Sequence, residues 1–342
     1  MPTHPFISII TPAYNHEKYI GDCIRSVLDQ GWTDWEQIIV NDGSTDNTAR
    51  VIKEFAAKDP RIKFFDRENI GIFRLAETYN FALAQAKGEY IAILEGDDFW
   101  VRNKLELQVQ SLHNHPESVL YWGRATSVIE DETEIYEVHP RCEEKNIRYY
   151  YNQPLGSFFN IVFDDFPPPL TFLIRKEALM KIGLFRQVLP FPAVDLPTLL
   201  ALSLAGPFHY DPVILGSWRQ HANQTTKNNP VQLIEGSSKI ITSHYQSLTP
   251  DIKQNLVFDL PCINKKLKSR KVISYSRSGR FKLIRKKFKE ARADYKISFI
   301  TGNPLLAFSW KLRSLAGFLL SYVHMDVEGL AKIMGKKSFK PN

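Results

Sequence analysis

Three carboxylates crowd four positions of the chain, Glu95, Asp97 and Asp98, in the run L-E-G-D-D-F-W from Leu94 to Trp100. Packed that closely, their mutual repulsion raises the cost of ionising all three. A hard divalent cation relieves it, because Mn²⁺ and Mg²⁺ take oxygen ligands and keep positions open for phosphate oxygens. A solvated acidic turn has the same spacing. A fourth carboxylate, Asp42, ends an apolar run and precedes Gly43. From there it can accept hydrogen bonds from a nucleobase or ribose, or close an Asx-turn on its own backbone.

Both groups need elements to hold them. Phe6 to Thr11 is an apolar, β-branched run stopped by Pro12 and reads as a buried strand. Gln37 to Val40, Ile62 to Phe65 and Tyr90 to Leu94 read as three more strands. Between them, Ile20 to Gln30, a segment through Val51, Ile52 and Phe55, and Ala76 to Ala86 carry helical spacing. Ser44 or Thr45 is placed to cap the second helix, and Gly88 to close the third. Alternating strand and helix predicts a mainly parallel central sheet with right-handed crossovers. The polar runs Thr11 to Asn15, Asn41 to Asp46 and Glu95 to Asp98 then fall at the carboxyl ends of strands, where such sheets bind ligands.

Beyond Leu112 the alternation weakens. Val119 to Ile129 reads as a strand, Glu130 to Glu144 as an acidic loop, and Pro167-Pro168-Pro169 as an extended lead into Leu170 to Ile174. A short helix at Lys176 to Ile182 is stopped by Gly183. A buried one at Leu196 to Leu204 carries Pro197 in its first turn. From Leu233 onward the pattern is helical and increasingly basic.

The 342 residues carry 44 % hydrophobic and 24 % charged side chains, which excludes a disordered or fibrous chain. The formal net charge of +7 hides a division. Residues 260–342 hold 20 Lys and Arg against 4 Asp and Glu, whereas residues 1–259 are net acidic. Cys23, Cys142 and Cys262 are too few and too scattered for a disulfide framework or a zinc site, which favours a reducing compartment. No signal-peptide pattern opens the sequence, and no uncharged run reaches the roughly 18 residues of a spanning helix. Lys311 and Arg313 interrupt the longest candidate. The expected location is cytoplasmic.

Several segments together resemble family 2 glycosyltransferases: S-I-I-T-P-A-Y-N (8–15), V-N-D-G-S-T-D-N-T (40–48), E-N-I-G (68–71), N-F-A-L-A-Q-A-K-G-E-Y-I (80–91), L-E-G-D-D-F-W (94–100) and K-L-E-L-Q (104–108). The order and spacing agree over residues 6–112, and a weaker likeness runs to about residue 225. The resemblance implies a GT-A fold and an inverting transfer from a nucleotide-diphosphate sugar, commonly UDP-linked. It places Thr11, Pro12, Tyr14, Asn15, Asp42, Asn69 and Gly71 around the donor nucleotide, with Glu95 and Asp97 completing that set. It assigns Asp97 and Asp98 to a Mn²⁺ or Mg²⁺ ion, with His221 of W-R-Q-H (218–221) as a further ligand. The first acidic position is commonly Asp in the family and is Glu95 here. Asp195, in A-V-D-L-P-T-L-L (193–200), matches the family's base; Val194 stands where a second acid is usual. Pro169, Thr171 and Arg175 match the acceptor side. The implied partners are a nucleotide-sugar donor and a glycan or lipid-linked acceptor, in surface polysaccharide or lipopolysaccharide biosynthesis.

These readings divide the chain into a catalytic domain at 1–230, nucleotide-binding to about 112 and acceptor-side from 113, and a basic helical region at 231–342. Within the latter, Phe281, Ile284, Phe288, Ala291 and Tyr295 follow one helical stripe with Lys and Arg between them. Leu305, Phe308, Leu312, Leu315 and Leu319 follow a second. Both fit an in-plane contact with an anionic membrane through 277–323, peripheral at the cytoplasmic face of the inner membrane. They equally fit stripes packed on the catalytic domain. A nucleic-acid binder acting through the tail would leave the acidic half without a role, so no nucleic acid is expected. A nucleotidyltransferase would want a glycine-rich basic loop after the first strand, where Thr11-Pro12-Ala13-Tyr14-Asn15 stands. A nicotinamide dehydrogenase would want G-x-G-x-x-G there.

Overall fold

The computed structural model describes residues 6–129, 135–141, 144, 147–151, 158–164, 166–221 and 224–325. The chain divides into two compact units, residues 1–224 with 247–257 and residues 225–246 with 258–342.

The first unit is built on one sheet whose strands are β1 (Ile7–Ala13), β2 (Trp35–Asp42), β3 (Ile62–Arg67), β4 (Tyr90–Ile93), β5 (Phe99–Trp100), β6 (Leu120–Ile129), β7 (Ile135–His139), β8 (Leu173–Arg175) and β9 (Phe208–Gln220). Their order is β3-β2-β1-β4-β8-β6-β9-β5, with β7 paired to β6. All seven residues of β1 are buried, as a central strand covered on both faces requires. β3, β2, β1 and β4 run parallel, with Ala13 opposite Asn41 and Ile10 opposite Ile93. That register brings the carboxyl ends of β1, β2 and β4 to one edge. From β8 onward the sheet is mixed: β8 is antiparallel to β4 and β6, while β6 and β9 are parallel.

Helices α1 (Ile20–Leu28), α2 (Thr48–Ala56), α3 (Leu75–Gln85) and α4 (Lys104–Asn114) are the crossovers and edge cover. The core joins Ile20, Ile24 and Val27 of α1 to Ile7, Ile9 and Ile39 of the sheet and to Leu105 and Val109 of α4. Three local expectations differ. The N-cap of α2 is Asn47 rather than Ser44 or Thr45; Asp46 Oδ1 takes the Thr48 amide at 3.0 Å. α3 ends on Ala86 in an extended conformation, so Gly88 is not its cap. Gly88 answers a close approach instead, since a Cβ there would lie 2.6 Å from the Ser8 nitrogen. The acidic segment 130–144 is not all loop, because β7 occupies Ile135–His139; residues 130–134, 142 and 143 lie outside the described residues.

Further along the first unit stand α5 (Phe159–Asp164), α6 (Lys176–Lys181) and α7 (Asp195–Leu202). The second unit comprises α8 (Thr225–Asn228), most of α9 (Pro230–Ser247), and α11 to α13; the short α10 (Pro250–Gln254) belongs to the first. The predicted stripe from Phe281 to Tyr295 is not one helix. α11 (Leu260–Ile284) ends there, Lys286 takes a positive φ of 60°, and α12 (Phe288–Ile300) starts afresh. The hairpin folds the stripe on itself, so that Leu283, Ala291 and Tyr295 pack together with Phe288 and Phe318 of α13 (Phe308–Tyr322).

Candidate functional site

The loops that leave β1 and β2 are stitched to each other by side chains. Asn15, held at φ 56°, accepts the Thr45 amide on Oδ1 at 2.8 Å, and its own amide donates to Ser44 Oγ at 2.9 Å. The His16 amide donates to Thr48 Oγ1 at 2.8 Å. Tyr14 stands 45 % exposed on the same loop. One loop later, Asn69 Nδ2 donates to the Asp42 carbonyl at 2.8 Å, and the Ile70 amide approaches Asp42 Oδ1 at 3.4 Å. Gly43 is required where it stands, because φ is +64° and a Cβ would lie 2.4 Å from the Asn69 nitrogen. Asp42, Asn69 and the 69–71 segment are therefore gathered at one strand end. Partial burial moves the Asp42 carboxyl above its ordinary range. Thr11 points the other way, buried, with its hydroxyl accepting from Gln37 Nε2 at 3.1 Å. Pro12 is buried beside it.

β4 ends in the acidic turn. One carboxylate oxygen each of Glu95, Asp97 and Asp98 lies within 4.8 Å of the others. His221 Nε2 stands 3.0 Å from Asp97 Oδ2, and His16 Nε2 is 3.9 Å from the same oxygen. Burial works against the ionised Asp97, but His16 and the His221 hydrogen bond outweigh it and hold the carboxyl below its usual range. Asp98 is pushed well up by burial and then by its two acidic neighbours; its Oδ1 accepts the Arg219 amide at 2.9 Å. The Arg219 guanidinium is a brace for this turn, donating to the Asp97 carbonyl and to Asp22 at 3.1 Å each.

Asp195 opens α7, with Val194 as the N-cap residue, and its Oδ1 accepts the Leu196 amide at 2.8 Å. Its charge acts on both Glu95 and Tyr79, so the head of α7 lies near the acidic turn. Burial raises the Asp195 carboxyl above its ordinary range. α3 fixes this approach. Tyr79 donates to Glu95 Oε1 at 2.7 Å, and the Asn80 side chain clamps the Phe185 carbonyl and amide at 3.0 and 2.9 Å. The Arg186 amide donates to Thr198 Oγ1 of α7 at 2.9 Å.

The structure does not bring every candidate here. Arg175 pairs with Tyr90, at the opening end of β4, and donates to the Ser118 carbonyl at 2.8 Å. That is the edge of the sheet opposite the acidic turn. Pro169 and Thr171 lie toward the near edge, but the Thr171 hydroxyl is spent on the Pro168 carbonyl at 2.7 Å. Tyr79, Asn80 and His16 were missed as site residues. The one sequence signal for Tyr79 is a phenol on the buried side of a helix, and nothing in its spacing names Glu95 as its partner.

Glu95 carries a measurable penalty. Burial, then the charge of Asp97, and to a smaller degree Asp195, outweigh the Tyr79 hydrogen bond and push its carboxyl from 4.5 to about 7. A raised carboxyl costs the fold nothing below its unfolded value, progressively more between there and about 7, and a constant amount above. The full shift corresponds to roughly 3 kcal/mol. In chelator, Glu95→Gln, which still accepts from Tyr79, is expected to melt several degrees above the wild type at pH 8 and level with it at pH 4. Calorimetry at the two pH values checks this; the same difference at both would assign the effect to packing.

Glycosyl transferase family 2 is the family whose profile matches, over residues 8–183. Among curated relatives, the UDP-Glc:alpha-D-GlcNAc-diphosphoundecaprenol beta-1,3-glucosyltransferase WfgD of Escherichia coli is 40 % identical over 115 residues, covering 34 % of this chain and 44 % of the relative. The matches to the first curated relatives span less than half of those proteins' own length. S. aureus TarS 1–349, solved with UDP-GlcNAc, superposes with a TM-score of 0.58 at 15 % identity, covering 96 % of this chain and 92 % of that one. A Pyrobaculum calidifontis mannosyltransferase, solved with GDP-Man and Mn²⁺, superposes at 0.57 with 16 % identity, covering 97 % and 88 %. At those identities the two structures speak for the GT-A fold alone. With half the chain matched and the motif-bearing strand ends gathered on one edge of such a fold, the chain belongs to glycosyl transferase family 2.

Proposed function

We propose that this glycosyltransferase moves a hexosyl or N-acetylhexosaminyl group from a nucleotide-diphosphate donor, UDP-linked by first choice, to a hydroxyl of a glycan or lipid-linked acceptor, with inversion. The observation that carries the reading is the convergence of His221 Nε2 and Asp97 Oδ2 at 3.0 Å inside a three-carboxylate turn that the Asp195 charge reaches. Oxygen and imidazole donors of this kind fit Mn²⁺ or Mg²⁺. Asp97 and His221 would hold the ion, with Asp98 beside them; bound there, it offsets the charge that develops on the leaving diphosphate. Asp42, Asn69 and Gly71 hold the nucleoside end, with Tyr14 and Asn15 on the adjoining loop.

In the transfer, Asp195 accepts the proton of the acceptor hydroxyl. The freed oxygen forms a bond to the anomeric carbon on the face opposite the diphosphate. The bond from that carbon to the diphosphate oxygen breaks, and the nucleoside diphosphate leaves with the electron pair. Attack from the opposite face inverts the centre. A base raised by burial is better matched to neutral pH than an ordinary Asp. WfgD, by its name, uses UDP-Glc and an undecaprenol-diphosphate acceptor. That favours a lipid-linked acceptor here, surface polysaccharide or lipopolysaccharide as the product, and a site of action at the cytoplasmic face of the inner membrane. No helix among the described residues is long and apolar enough to cross a membrane, so the placement proposed is peripheral.

A thermal-shift panel of UDP, GDP and dTDP sugars with and without Mn²⁺ tests the reading. A donor at 100 times its dissociation constant adds about 2.7 kcal/mol, roughly 5–10 °C for a unit of this size. A flat, metal-independent response across the panel would overturn it.

A further inference from the structure

The last helix of the second unit faces the wrong way for a helix stabilised by its own apolar stripe. α13 turns Lys311, Ser314, Gly317 and Ser321 inward. Ser314 Oγ meets Ser298 Oγ of α12 at 2.8 Å, and Lys311 Nζ donates to the Asn303 carbonyl at 2.9 Å. Gly317 lets the Tyr295 ring close in, since a Cβ there would lie 2.3 Å from it. The apolar row points out. Phe308, Leu312, Leu315, Leu319 and Tyr322 are between 40 and 60 % exposed, and Leu305 just before the helix is 79 % exposed. Their spacing of four, three, four and three residues keeps them on one line. Isolated apolar side chains on a surface need no explanation, but a continuous row of this length does.

At its carboxyl end the row meets positive charge. A cavity of about 360 Å³ is lined by Lys286, Lys287, Lys289, Arg292 and His324, with Glu290 as the one acidic residue among the described residues of its wall. The Arg292 guanidinium lies 4.6 Å from the ring centroid of Tyr322, and the Phe288 and His324 rings are 4.6 Å apart. These contacts join the cationic cavity to the end of the apolar row. Residues 260–342 as a whole carry 20 basic and 4 acidic side chains.

We infer that this face of the second unit is a docking surface for an anionic lipid bilayer. The α13 row enters the acyl boundary, while the cavity at the α11–α12 turn receives lipid phosphate. Charge complementarity selects the occupant. A second copy of this chain would bring the same positive cavity against itself, whereas an anionic leaflet supplies apolar depth and negative charge in one surface. The inference deepens the peripheral placement proposed above. It stands on geometry in the second unit and is independent of the transfer chemistry.

Vesicle flotation of the full chain tests it, with phosphatidylcholine alone and with a quarter of phosphatidylglycerol. Binding to the anionic vesicles is expected to exceed that to neutral vesicles at least tenfold, and to weaken as salt rises. The triple variant K286E/K287E/K289E and the triple variant L312S/L315S/L319S are each expected to lose at least tenfold in anionic-vesicle binding. Because all six side chains point outward, both variants should keep the wild-type melting temperature and the nucleotide-induced thermal shift. Equal wild-type binding to both vesicle types, or unchanged binding by the serine variant, overturns the inference. So does a wild-type dimer that the serine variant converts to monomer, since a second copy would then cover the row. If nucleotide shifts are absent while anionic binding and its loss in both variants persist, the donor reading fails and this one stands.

Discussion

Asp195→Asn is expected to cut transfer by about 10²–10⁴-fold, the usual worth of a positioned general base, and to leave donor binding intact. Asn preserves the shape and can still accept the Leu196 amide that Asp195 Oδ1 takes at 2.8 Å. The fold at the head of α7 should therefore survive. Only the capacity to accept a proton is removed. A second consequence separates this from a structural role. The Asp195 charge contributes to the raised carboxyl of Glu95. Neutralising it lets Glu95 ionise more easily, so the metal-free variant should be no less stable than the wild type above pH 7, where the Glu95 penalty is fully expressed. Turnover is measured with a saturating donor and a soluble acceptor, and donor binding by thermal shift. Turnover within threefold of wild type removes Asp195 as the base. Loss of turnover together with the donor shift makes it a residue that shapes the donor site instead.

The first half of the fold was open to reading because period and punctuation agree there. Ile7–Ala13 is apolar but for Ser8 and Thr11, is stopped by a turn, and is followed by a helix with one buried side. Alternation then fixes a parallel sheet, and a parallel sheet fixes which ends face the ligand. That logic puts Asp42 and the Glu95–Asp98 turn at strand ends without any knowledge of side-chain contacts; Asn69 rests on the resemblance alone. Alternation says nothing of pairs drawn from distant segments. His221 reaches Asp97 across 124 positions, and Tyr79 reaches Glu95 from a helix whose pattern reports only burial. Arg175 shows the converse case. It lies in an apolar strand near matched residues, yet β8 runs antiparallel to β4 and carries it to the opposite edge. Strand direction after Leu112 is set by sheet pairing, which local periodicity does not encode. The stripe from Phe281 to Tyr295 failed for a similar reason. Its spacing suits one helix, but nothing in that spacing forbids the turn at Lys286 that folds it into a hairpin.

The second large effect is expected at Asp97. Two imidazoles address the same oxygen, His221 at 3.0 Å and His16 at 3.9 Å, and they overcome the cost of burial to keep the carboxyl ionised. Neighbouring Glu95 and Asp98 go the other way, both raised by burial and then by the Asp97 charge. Asp97 is thus the member of the cluster that ionises most readily and the first available to a cation. Asp97→Asn retains an acceptor for His221 but no charge. It should stay folded and lose the Mn²⁺-dependent part of the thermal shift given by a nucleotide sugar, about 2.7 kcal/mol at 100 times the dissociation constant. Transfer should fall at least about 10³-fold, since losing several kcal/mol of charge stabilisation costs a factor of ten per 1.36 kcal/mol. His221→Ala should follow in the same direction with a smaller loss, because the carboxylate remains. A variant that melts like the wild type and still shows the full Mn²⁺-dependent shift would reduce the Glu95–Asp98 cluster to a solvated turn. The hydrogen bonds that Arg219 and His221 make to Asp97 would then serve the fold alone.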